Sequence, residues 1–144
     1  MKNNMKDLTL TEIIASIMIF SYGFREFLRG FFWAKEQKDV LDDSTFYLAL
    51  HHIMPIWMWG IIVMFAGVLV MISAFCVGSS DQNTRFSKLL LVGGFASALL
   101  YFLMTSASIY HAINWLTTAH MALMSATGFL MAFIGGADVY ARRG

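Results

Sequence analysis

The sequence predicts an all-α integral membrane fold: four transmembrane helices in an antiparallel bundle, with both termini cytoplasmic. Three observations carry this reading. Of 144 residues, 58% are hydrophobic and 13% charged, about half the charge of an ordinary soluble domain. Three apolar runs, 55–77, 89–110 and 115–137, are 22 or 23 residues long, enough for the ~20 residues a bilayer crossing needs. Finally, six of the ten Lys and Arg residues fall in the N-terminal segment, the second loop and the C-terminal tail. With four spans these three share a side, and positive charge marks that side as cytoplasmic.

The first span is read as 13–32, between Glu12 and the interfacial Trp33. A signal-peptide reading fits less well, because charges and large aromatics follow the apolar stretch in place of a small-residue cleavage site. The long first loop contains "STFYLALHHIM", which follows acidic, cap-like residues and predicts a short interfacial helix. Pro55 opens the second span, where its missing N–H is harmless. "GSSDQNTRFSK" reads as a polar turn before the third span. The connection around "HAINW" is so short that the last two spans form an antiparallel hairpin. No repeat or linker interrupts the chain, so residues 1–144 are read as one transmembrane domain.

Charges inside the first span demand an explanation. At 100° per residue, Ser21, Tyr22, Arg25, Glu26 and Arg29 fall within an arc of about 140°. An intramembrane arginine costs ~2.5–3.5 kcal/mol on insertion scales, so this stripe faces away from lipid tails. Glu26 and Arg29 stand at the i, i+3 spacing that permits pairing. Alternating helix directions bring the stripe to one end of the bundle with His51, His52, His111 and His120. Trp33, Trp57, Trp59 and Trp115 gather there too and read as an interfacial belt. His111 reads as a cap on the last carbonyls of its helix, whereas His120, about one turn inside the last span, needs a partner. Tyr22, Arg25, Glu26, Arg29 and His120 form the candidate polar site and are expected to bound a polar cavity. As a plain anchor, the same stripe would snorkel and pair locally.

The remaining helix faces suggest close packing. Gly60, Gly67 and Ala74 recur at seven-residue spacing; Gly93 and Ser97 lie on one stripe with Tyr101, Thr105 and Ser108; Gly128, Ala132 and Gly136 form another. Small residues let helix backbones approach. Cys76, the one cysteine, excludes an internal disulfide and reads as a small core residue. The net charge of +1 gives no reason to expect nucleic acid, and no phosphate loop, zinc spacing or nucleophile motif is present. The hydropathy of the chain resembles that of DoxX-type four-helix proteins, and "WGIIVMFAGVLVMISAF" is similar to their glycine-rich second span. Met64 stands where such proteins carry an acidic residue, so the resemblance implies the fold and transfers no residue role.

The functional expectation is a small accessory or interaction protein of a bacterial-type cell membrane, rather than an enzyme. Its partners are the lipid bilayer and another membrane protein or a second copy of the chain. No metal or cofactor is expected. The alternatives are a quinone- or haem-dependent redox component using Tyr22, Arg25 and His120, and an oligomeric, holin-like pore.

Overall fold

A computed structural model describes residues 8–36, 45–77, 80–111 and 114–142, the side chains of 80–83 excepted. The described chain is all helix and turn. In order it forms α1 (Leu10–Lys35), α2 (Thr45–Ile53), α3 (Ile56–Ala74), α4 (Ser80–His111) and α5 (Trp115–Ala141). Three helical stretches are long and apolar enough to cross a membrane: Ile56–Ala74, Thr84–His111 within α4, and Trp115–Ala141. At 26 residues, α1 is also long enough, but it carries Arg25, Glu26 and Arg29 within it.

Local chemistry sets the helix ends. Thr9 caps α1 in a reciprocal box: its hydroxyl accepts from the Glu12 amide at 3.3 Å, and the Glu12 carboxylate accepts from the Thr9 amide at 2.8 Å. Asn114 caps α5 by accepting from the Thr117 amide at 3.1 Å. Pro55 separates α2 from α3 with an extended ψ of 137°. The stretch expected as a polar turn before the third span is instead helical from Ser80. Ser87 and Leu90, 1% and 2% exposed, continue the buried stripe of α4 into that polar sequence, so packing holds it in the helix.

Successive long helices pack as antiparallel neighbours, α1 on α3, α3 on α4 and α4 on α5. The first and last pairs approach backbone to backbone. On α1 the buried residues are Gly23, Glu26, Gly30 and Trp33, a 3–4–3 spacing that keeps one narrow seam on α3. A Cβ built at Gly23 would stand 2.7 Å from the Gly67 carbonyl oxygen, and one at Gly67 would stand 2.6 Å from that of Gly23. Gly30 and Gly60 meet in the same way one heptad along. Gly128 on α5 lies equally close to the Gly94 oxygen and Ala98 nitrogen of α4. Within lipid, association rests on such packing rather than on a hydrophobic driving force.

Above the α1–α3 pair, α2 lies against α4 and α3. Its Phe46 and Leu50 are buried with Trp33, Ile56, Trp59, Val63, Tyr101, Met104, Met121 and Met124 in one cluster. The Trp59 indole N–H donates to the Leu50 carbonyl at 3.2 Å, and the Thr45 hydroxyl donates to the His111 carbonyl at 3.2 Å. This corrects the reading of four interfacial tryptophans. Trp57 and Trp115 are exposed, but Trp33 and Trp59 are core residues, because α2 covers them.

Candidate functional site

The heptad seam of α1 leaves a second stripe beside it, Tyr22, Arg25 and Arg29, spaced i, i+3, i+7. This stripe points toward α5. Among the described residues, the α1 and α5 backbones do not approach as the other neighbours do; long side chains bridge them. The Tyr22 hydroxyl donates to the Met124 carbonyl at 2.8 Å. Arg25 donates from Nη1 to the Met124 sulfur at 3.6 Å. Its Nη2 lies against both ring nitrogens of His120, with Nδ1 at 3.2 Å. Arg29 donates to the Met121 sulfur at 3.2 Å, and its guanidinium lies 5.9 Å from the Trp33 ring centre and 5.8 Å from that of Tyr101.

Glu26 belongs to the other stripe. It is fully buried, with its Cβ in the space that glycine leaves at position 67. The Ser97 hydroxyl of α4 donates to its Oε2 at 2.8 Å, while its Oε1 has no hydrogen-bond partner among the described residues. The expected pairing of Glu26 with an arginine on its own helix does not occur. The ion pairs among the described residues are Lys35–Glu36 and Asp138–Arg142. The physical reason is rotational: Glu26 lies in the glycine seam, and the arginines lie one stripe over, facing α5.

Four of the five expected site residues, Tyr22, Arg25, Arg29 and His120, therefore meet between α1 and α5, and the fifth is turned toward α4. They do not bound the open groove of about 520 Å³ at the turn between α4 and α5. That groove is lined by Ser108, Ile109, Asn114, Trp115, Thr118 and Ala119. His120 has the partner it needed, Arg25. For His111 the described contact is at its carbonyl, which accepts from Thr45. Its side chain is exposed.

Sequence reasoning missed Met121, Met124 and Tyr101 as contacts of the arginines. His120 and Met124 at i, i+4 on α5 were the available signal, as were Ser97 and Tyr101 on α4. It also missed Gly23 and Gly30, whose seven-residue spacing matches that of Gly60 and Gly67. Ser97, read as a packing residue, is the donor to Glu26. Gly93 and Ala132 lie in close helix contacts, and Ala74 is buried. Gly136 stands one residue off the α5 seam: a Cβ there would meet Leu91 Cδ1 at an ordinary 3.4 Å, whereas one at Gly135 would stand 2.6 Å from the Ser87 carbonyl oxygen.

Chemically, the arrangement concentrates positive charge. Two guanidinium groups, each with five N–H donors, sit one helical turn apart. Their described partners are thioether sulfurs, an imidazole and, for Arg29, the Tyr101 phenol. Among the described residues no group of three or more His, Cys, Asp and Glu gathers as a metal site would require. No family model, curated protein or solved structure matches the chain.

Proposed function

We propose that the chain crosses a bacterial-type cell membrane four times, with α1 as the first span and both termini cytoplasmic, and acts as a small accessory protein. It engages another molecule within the bilayer on its α1–α5 side. One observation supports the choice of that side: α1–α3 and α4–α5 close through backbone contact at glycine, whereas α5 meets α1 through side chains alone. The closed pairs form a scaffold, and the remaining side is where polar donors remain free to bind.

The same geometry weighs against haem ligation and against a pore through a single copy. Backbone-tight glycine contacts within the pairs at Gly23, Gly67, Gly94 and Gly135 leave little room for a polar path through a single copy. Arg25 occupies the ring nitrogens of His120, which a haem iron would need.

Reporter fusions at Gly144 and within residues 36–43 read the topology, and a photo-crosslinking residue at Leu28, exposed beside the Arg25 stripe, reads the engagement. The expected result is a cytoplasmic Gly144 and a discrete in-cell adduct from position 28 that the same residue at Phe133 does not give. An extracytoplasmic Gly144, equal labelling from both positions, or ion conductance by the purified chain in liposomes would overturn the proposal.

A further inference from the structure

We infer that the seam between α1 and α5 is a phosphate-binding site, with Arg25 and Arg29 as its two ligating side chains. Both arginines project from one face of α1, separated by one turn, roughly 6 Å of rise. Among the described residues, neither donates to a carboxylate or a backbone carbonyl. Arg25 reaches the Met124 sulfur and His120; Arg29 reaches the Met121 sulfur and lies against two aromatic rings. Thioethers are weak acceptors, so most of the guanidinium N–H groups lack a strong one. The nearby carboxylate compensates only through space: Glu26 takes its hydrogen bond from Ser97 and acts on Arg29 electrostatically, without a contact ion pair to either arginine.

Two arginines facing at most one carboxylate in an apolar setting are costly unless a further anion joins them. A phosphate suits this pair better than a carboxylate. Its several unesterified oxygens can each take a guanidinium fork, and arginine is the side chain best matched to it. Arg25 is exposed and Arg29 half-buried, so a ligand can reach both from the side of the seam. Tyr22 and His120 act as positioning residues. The Tyr22 bond to Met124 holds α5 in register with α1, and His120 fixes the Arg25 guanidinium.

Two sources can supply this chemistry, a phospholipid headgroup and free phosphate. The inference rests on α1 as a membrane span only in its choice of the lipid. A failed span appears in the reporter fusions, whereas a failed site appears in the detergent-purified full chain, whose binding needs no membrane. That protein is titrated with phosphatidylglycerol and, separately, with inorganic phosphate, following tryptophan fluorescence and native mass spectrometry. Trp33 beside Arg29 serves as the reporter.

Saturable phosphatidylglycerol binding assigns the site to lipid, and saturation by inorganic phosphate alone assigns it to the free ion. In either arm, Arg25→Gln and Arg29→Gln should each weaken binding by roughly tenfold or more. Arg142→Gln, remote from the seam, should leave it unchanged. Circular dichroism confirms folding, and the single variants carry the test if the double variant does not fold. Binding of neither probe by the wild-type chain, or an equal loss in Arg142→Gln, would overturn the assignment.

Discussion

Helix α1 is held on its two sides by opposite means. Toward α3 it offers glycine, and the backbones touch. Toward α5 it offers tyrosine and two arginines, and the backbones stay apart. The first seam has one geometry, fixed by atoms that have no rotamers to change. The second has several long side chains, each with its own torsions and with donors left over. One helix therefore serves as a structural wall and, in the proposed function, as a binding wall, and the two roles lie on stripes that differ by a single residue step.

The largest effect should come from filling the tight seam. Gly23→Leu places a side chain against the Gly67 oxygen and the Met71 nitrogen, 2.7 and 2.8 Å from its Cβ. Backbone atoms cannot move aside as a flexible side chain can. A loss of about 3 kcal/mol or more is expected, measured by denaturant unfolding in detergent. A tolerated leucine would end the distinction between the seams.

The boundary between the stripes is tested by Ser97→Ala, which leaves the buried Glu26 carboxyl without its described donor. That should destabilise the fold by about 1–3 kcal/mol. Glu26→Leu should be neutral or stabilising, because it removes the buried polar group altogether. If Ser97→Ala is silent and Glu26→Leu disrupts folding, Glu26 answers to the arginines after all.

A smaller change tests the cover over both seams. Trp59→Phe removes the indole donor to Leu50 while preserving most of the packing. The expected loss is about 0.5–1.5 kcal/mol, seen as faster hydrogen exchange in α2 and unchanged exchange in α4. Uniform acceleration would show that α2 is not separately tethered.

The smallest effect lies outside the apolar region. Hydrogen bonds from the Thr9 backbone and hydroxyl hold Glu12 below its ordinary 4.5. A lowered folded-state value means the cap contributes fully above pH 4.5 and is lost as pH falls through the lowered value. Exchange protection at the first turn of α1, taken relative to the intrinsic amide rate at each pH, should fall over that acidic window and stay flat between pH 5 and 7, and Glu12→Gln should abolish the change. The seams themselves should not respond to this change.

The three apolar spans were legible because continuous hydrophobicity over 22 or 23 residues admits few other readings. The polar stripe of α1 was legible from rotation alone. What rotation could not convey was its division. Whether Glu26 turns to Arg29 or to Ser97 depends on the missing side chain at Gly67, which belongs to another helix. Likewise, Trp33 and Trp59 sit where interfacial residues sit in sequence, and only the docking of Phe46 and Leu50 makes them core. At the start of α4, polarity suggests a turn, but Ser87 and Leu90 lie on the buried stripe and keep the segment helical.

The glycine seams also order the assembly in time. Bringing Gly or Ala surfaces together fixes no side-chain rotamers, whereas ordering arginine or methionine costs up to about 2 kcal/mol of entropy each. Helices α4 and α5 are joined through residues 112–114, so their hairpin closes over a minimal loop. The Tyr22–Met124 bond, by contrast, spans 102 residues of chain and carries the larger closure entropy. The hairpin is therefore expected to form early and the charged seam to close last. Few backbone contacts cross that seam, so it is also the part of the folded protein expected to open first.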